Sequence, residues 1–134
     1  MIVIDSSVAI AAFASWSTVH DAAQHVLDEG PRLPTHAALE TYSVLTRLPP
    51  PHRAPAEHVR RFLHEEFPAP WLTLPRRRHY ELIADLADAG ITGGAVYDAL
   101  IAAVARSHRG TLVSCDQRAA TTYEAMDAKV RLIK

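Results

Sequence analysis

Two short apolar runs, each ending in an aspartate, constrain this chain more than anything else in it. They are Ile2-Val3-Ile4-Asp5 near the start and Leu112-Val113-Ser114-Cys115-Asp116 near the end. An unbroken apolar run of this length suits a strand covered on both faces, as inside a parallel sheet. Parallel strands need long crossover connections, and the chain between the two runs has helical periodicity. Open α/β sheets bind their ligands beyond the carboxyl ends of the strands. Both aspartates are therefore expected on one rim.

Taken in order, residues 2–5 predict a first strand. Ser6 or Ser7 is expected to cap a helix with Val8, Ile10, Ala12 and Phe13 in its body. Residues 15–18 read as a loop, and Thr18 as the cap of a helix over 19–28 that ends at Gly30-Pro31. Leu33 falls in a short second strand. Thr35 is expected to cap a helix over 36–47 whose buried stripe is Leu39, Tyr42 and Leu45. The proline-rich stretch 49–55 must be extended, and a helix over 56–66 follows. Trp71-Leu72-Thr73-Leu74 predicts a third strand. A helix over 77–89 carries Tyr80, Leu82, Ile83 and Leu86. An alanine-rich helix over 95–107, a strand over 111–115, a helix over 117–126 and a strand over 130–133 complete the chain. Strands alternating with helices predict a three-layer α/β/α sandwich around a central parallel sheet, as a single domain over 1–134. Right-handed crossovers would then place the strand carboxyl ends together.

The bulk numbers agree with such a fold. A chain of 134 residues, 49% hydrophobic and 22% charged, is long enough for one domain with a real core. A single cysteine, Cys115, excludes an internal disulfide and fits a reducing cytoplasm. No stretch reads as a membrane span, and a strand at the first residues leaves no room for a cleavable leader. The formal net charge of −1 is not that of a typical non-specific nucleic-acid binder. An acidic active site offset by bound metal would be compatible with it.

Two further acids belong with Asp5 and Asp116. Asp98 lies in the first turn of the alanine-rich helix that leads back to the second run, and Glu40 lies early in the helix over 36–47. Taken singly, each has an ordinary explanation. An aspartate after a strand is a helix cap or turn residue, Asp98 is a first-turn acid, and Glu40 is a solvated residue four positions after His36. Four acids on one rim are different, because their repulsion is costly unless a cation holds them. Hard oxygen donors with room for water and phosphate suit Mg²⁺ or Mn²⁺. Such a site can hydrolyse a phosphodiester. Ser6, Ser7 and Ser114 stand close enough to orient a ligand or water.

The ordered set of motifs resembles the PIN-domain ribonucleases, most closely the VapC toxins of bacterial VapBC toxin–antitoxin pairs. The residues that carry the resemblance are Ile4-Asp5-Ser6-Ser7, Glu40 within Ala38-Leu39-Glu40-Thr41-Tyr42, Asp98 within Gly94-Ala95-Val96-Tyr97-Asp98-Ala99, and Ser114-Cys115-Asp116. The resemblance implies Mg²⁺- or Mn²⁺-dependent endoribonuclease activity with Asp5, Glu40, Asp98 and Asp116 as the acidic, metal-holding set. It also implies a homodimer and a cognate VapB-like antitoxin, with residues 49–66 as a partner-facing clip. Ser114 stands where the family often has threonine, with the hydroxyl kept. Gln117-Arg118-Ala119 lack the aromatic often found there.

Other features read more plainly. Arg76-Arg77-Arg78 oppose a helix dipole, so this run is expected to be partly loop. It is a solvated face first and an RNA phosphate contact second. The eight histidines show no zinc spacing. Cys115, Trp16 and Trp71 are expected in the core, and an exposed tryptophan would instead suggest a partner or RNA contact. Two other functions stay open. One is a phosphoryl-accepting receiver-type domain, disfavoured because serines, not a second acid, follow Asp5. The other is a non-catalytic module of the same fold whose acidic groove receives a basic partner segment.

Overall fold

A computed structural model describes residues 1–134. Strand β1 (Ile2–Ile4) leads into helices α1 (Ser6–Phe13), α2 (His20–Leu27), α3 (Thr35–Arg47), α4 (Ala56–Glu66), α5 (Arg76–Ala89) and α6 (Ala95–Ser107). Strand β2 (Thr111–Ser114), helix α7 (Gln117–Ala125) and strand β3 (Lys129–Leu132) follow. All strand pairs are parallel, in the order β1-β2-β3, with Val3 opposite Leu112 and Leu112 opposite Val130. The helices form two packed groups. In one, α1 packs on α2 and α3, and α3 on α4; in the other, α6 packs on α5 and α7. Each group meets the sheet, as a three-layer α/β sandwich requires. No helix is long and apolar enough to cross a membrane.

The core explains why the strands can be so short. Val3, Ile4, Leu112 and Val113 are all buried. The face of α6 toward the core is made of Ala99, Ala102 and Ala105 with Ile101 and Val104, so small side chains bring the helix close to the sheet. Burying an aliphatic side chain contributes roughly 1.5–3 kcal/mol, which gives the strand side chains leverage out of proportion to their few hydrogen bonds.

Several expectations change. The strands expected at Leu33 and at 71–74 are only isolated bridges, Val3 to Arg32 and Pro34 to Leu72. Pro31 and Pro34 lack amide protons and cannot extend a ladder. The bridges still place this chain beside β1, with Ile4 N–H donating to Arg32 O at 3.1 Å and Leu72 N–H to Leu33 O at 2.9 Å. Asp5, not Ser6 or Ser7, caps α1. Neither Thr18 nor Thr35 caps a helix; the N-cap positions are Val19 and Pro34, without side-chain bonds.

The helical stripes shift too. Helix α3 is buried through Ala37, Ala38, Thr41 and Leu45, leaving Leu39 63% exposed and Tyr42 40%. Helix α5 buries only Leu82 and Leu86, so Tyr80 and Ile83 face solvent. Arg76, Arg77 and Arg78 are all helical, not loop. Pro75 precedes them with backbone angles suited to a helix entry, the arginines are exposed, and Arg78 is offset by Glu81 at 3.2 Å. Trp16 is not core: it is exposed and stacks on His52, with centroids 4.3 Å apart. Trp71 is half-buried and donates to Phe67 O at 3.2 Å.

Candidate active site

The carboxyl ends of β1 and β2 and the first turns of α6 and α7 open on one groove of about 440 Å³, and Asp5, Glu40, Asp98 and Asp116 all line it. Asp5 and Asp116 are both caps and rim acids, so the two readings of a strand-end aspartate coincide here. Asp116 accepts from the backbone N–H groups of Arg118 at 2.9 Å and Ala119 at 3.2 Å. Capping turns these side chains toward the rim that the helices start from.

Asp5 is the most tightly held group in the molecule. It is 3% exposed. Its Oδ1 accepts from Ser7 Oγ at 2.6 Å and Val8 N–H at 3.2 Å. Its Oδ2 accepts from Ser114 Oγ at 2.5 Å and Tyr123 Oη at 2.8 Å. A carboxylate offers about four lone-pair sites, and all of Asp5's are taken. Burial pushes its carboxyl above the usual aspartate range, while the bonds from Ser114, Ser7, Tyr123 and Val8 pull the other way. Ser7 also accepts from the Cys115 N–H at 2.9 Å, and Ser114 from the Asp116 N–H at 3.0 Å. The two serines thus tie β1 and β2 together at their carboxyl ends.

The other acids are half-buried or less and feel one another. Burial raises the Glu40 carboxyl above its ordinary value, and the charges of Asp98 and Asp5 raise it further. Burial likewise raises Asp98, with Asp116 and Asp5 adding and Arg118 opposing. His36 Nε2 lies 3.6 Å from Glu40 Oε1. Burial lowers the His36 pKa, so at neutral pH the pair is not a full ion pair. Cys115 follows the strand and is half-buried rather than core. Burial pushes its thiol up to about 11, which leaves it protonated and unreactive.

The donor set suits a hard divalent cation: carboxylates and hydroxyls, with no thiol or imidazole among the groove's lining. Mutual repulsion among the acids is what such a cation would relieve. No three acidic, imidazole or thiol groups form a closed cage in advance. A cation here would therefore keep part of its water shell or draw the acids closer on binding.

The arginines at 76–78 lie elsewhere. Arg78 lines a different groove, with Glu81 and Asp85, between α5 and α6. The sequence reading missed Tyr123 and Arg118. Tyr123 sits at core spacing on α7 beside Ala119 and Ala120, so only the fold reveals that its hydroxyl ends on Asp5.

Comparison with known proteins identifies the fold and the family. The PIN domain family matches residues 2–125. The chain is 43% identical over 133 residues to Ribonuclease VapC40 of Mycobacterium tuberculosis (strain ATCC 25618 / H37Rv), covering 99% of each. It is 44% identical over 128 residues to Ribonuclease VapC27 of the same strain, covering 95% of this chain and 93% of the relative. In fold it matches the crystal structure of FitAcB from Neisseria gonorrhoeae, with a TM-score of 0.69 and 20% identity, over 97% of this chain and 96% of that one. The chain belongs to the PIN-domain family, among its VapC ribonucleases.

Proposed function

We propose that this protein is the toxin of a toxin–antitoxin pair, an endoribonuclease that hydrolyses RNA phosphodiesters with Mg²⁺ or Mn²⁺ and acts in the cytoplasm. The observation that carries this reading is the single groove lined by Asp5, Glu40, Asp98 and Asp116, on a chain whose full-length relatives are named ribonucleases. A bound divalent cation supplies a lowered water pKa and a charge clamp on the phosphoryl oxygens. The chain's own residues hold and orient. Glu40 of α3, Asp98 of α6 and Asp116, the cap of α7, would offer carboxylate oxygens to the cation. Asp5 lies at the groove floor, and direct ligation by it would require one of its four donors to let go. Ser7 and Ser114 keep that carboxylate in place. Cleavage of an RNA pool should require Mg²⁺ or Mn²⁺ and stop with chelator; cleavage that persists in chelator rejects the metal site.

Cation binding should also show in stability. A ligand held only by the folded state stabilises by RT ln(1 + [L]/Kd), about 2.7 kcal/mol at a hundredfold excess over Kd. Wild-type protein should therefore melt several degrees higher as Mn²⁺ is added, and Asp98→Asn protein should respond much less. An equal response in both places the ion elsewhere.

The antitoxin is assigned to a groove of about 280 Å³ between α3 and α4, lined by Leu39, Tyr42, Leu63 and Trp71 among others. Leu39 and Tyr42 are the apolar side chains that the fold leaves exposed there, and Ala56, Glu57, Arg60, Leu63 and His64 of α4 line the other wall, within the 49–66 clip that the family resemblance implies. Leu39→Ala should weaken antitoxin binding about tenfold, as for a buried interface anchor, measured by calorimetry. Unchanged affinity removes the groove from the interface. A homodimer is assigned on the family resemblance, and sedimentation of the purified chain tests it.

A further inference from the structure

The acidic groove repels the phosphates it is meant to cut, so something in its walls must hold the RNA. Arg118 is the one basic residue that lines it. It stands at the start of α7, two residues after Asp116, and is exposed. Its guanidinium takes part in none of the ion pairs of the chain. It is thus a free fork of donors at the edge of the acids, and a guanidinium matches a phosphate's oxygens in geometry.

The α3 and α6 side carries a different device. The rings of Tyr97 and His36 stack with centroids 5.1 Å apart and planes 6° from parallel. Tyr97 adjoins Asp98 in sequence, and His36 lies one helical turn before Glu40. Tyr97 is 54% exposed, an unusual state for a large aromatic that is already held in place by a partner ring. Its orientation is fixed before any ligand arrives, so stacking a base on it costs little ordering. Glu40 also borders a second, shallow groove along α3 that includes His36 and ends at Arg47. Neither ring lines the acidic groove itself, but His36 Nε2 lies 3.6 Å from Glu40 Oε1, so Glu40 borders both the acids and the platform.

We infer that Arg118 holds a backbone phosphate of the RNA at this groove and that the exposed Tyr97 ring, backed by His36, stacks a nearby unpaired base. The inference rests on the ribonuclease reading for the identity of the ligand. A base engaged by a ring must be unpaired, so a duplex is excluded by the same contact. Arg118 supplies affinity without reading sequence, whereas the platform favours unpaired bases that stack well. The basic run at 76–78 is released from this role.

The test is equilibrium binding of a short single-stranded oligoribonucleotide, and of its duplex, to protein carrying Asp98→Asn, which slows cutting enough for binding to equilibrate first. Adding Arg118→Ala should weaken single-strand binding roughly tenfold and lower the slope of log K against log salt by about 0.7, the value for one phosphate on a single strand. Arg118→Lys should keep the slope. Tyr97→Ala should weaken binding by about fivefold to hundredfold with the salt slope unchanged, and Tyr97→Phe should bind nearly as wild type. The duplex should bind more weakly than the single strand and be insensitive to Tyr97→Ala. The inference is overturned if Arg118→Ala retains both affinity and slope, or if Tyr97→Ala binds the single strand normally. It is also overturned if the conservative variants lose as much as the alanine ones. If these shifts appear but unaltered protein cleaves no RNA with Mg²⁺ or Mn²⁺, the track stands and the ribonuclease reading falls.

Discussion

Asp98→Asn protein will cut RNA on the order of 10²–10³-fold more slowly than the unaltered chain, a loss typical of removing one electrostatic group from a reaction centre. In chelator, it will also melt at a higher temperature. The fold raises the Asp98 carboxyl above its ordinary value of 3.8 through burial and through the charges of Asp116 and Asp5. A raised acid pKa means that the folded state disfavours the ionised form. That cost is absent at low pH, sets in as pH rises past 3.8, and is complete above the raised folded value. Asparagine, which does not ionise, removes it. Asp98 is partly open to solvent, so screening limits the gain to roughly 0.3–1 kcal/mol, or about 1–4 °C in melting temperature. Cleavage assays paired with calorimetry check both halves. A variant that is inactive and also less stable would mean that Asp98 holds the fold together rather than the reaction.

The largest expected loss of stability comes from a position with no side chain. Gly110 joins α6 to β2, and a β-carbon there would lie 2.6 Å from Val3 Cγ2 and 3.4 Å from the Met1 carbonyl oxygen. Val3 is fully buried in β1, opposite Leu112, so it has no free space to retreat into. Gly110→Val should cost about 3 kcal/mol, at the upper end for overpacking, and lower the melting temperature by roughly 10 °C. The denaturation midpoint should fall with the slope unchanged. Because β1 also carries Asp5, the variant should lose cleavage at temperatures where it is still folded. A cost under about 0.5 kcal/mol would show that helix and strand do not approach so closely.

The strands that bear acids were legible in the sequence because one pattern, an apolar run ending in aspartate, encodes both burial and position. The bridges at Arg32 and Pro34 were over-read as strands, since their composition is strand-like but their prolines stop the ladder after one pair. Leu39, Tyr42, Tyr80 and Ile83 were misplaced for another reason. Helical spacing says which residues share a face, not which face meets the core. In α3 the small residues Ala37, Ala38 and Thr41 go inward, and the larger Leu39 and Tyr42 stay exposed. The clustering of the acids followed from topology, whereas the donors around Asp5 did not. Ser114 and Tyr123 reach it from 109 and 118 positions away, and no local pattern encodes such a bond.

That distance along the chain has a consequence for synthesis. β1 has its ladder neighbour in β2, and Asp5 has its last donor on α7, so the groove cannot close until the ribosome has delivered almost the entire chain. Domains dominated by such distant pairings also fold slowly. At translation rates of about 5–20 residues per second, the growing polypeptide is harmless for several seconds or more. A cell making this protein thus has an interval, set by strand order alone, in which a binding partner can meet the product before it becomes dangerous.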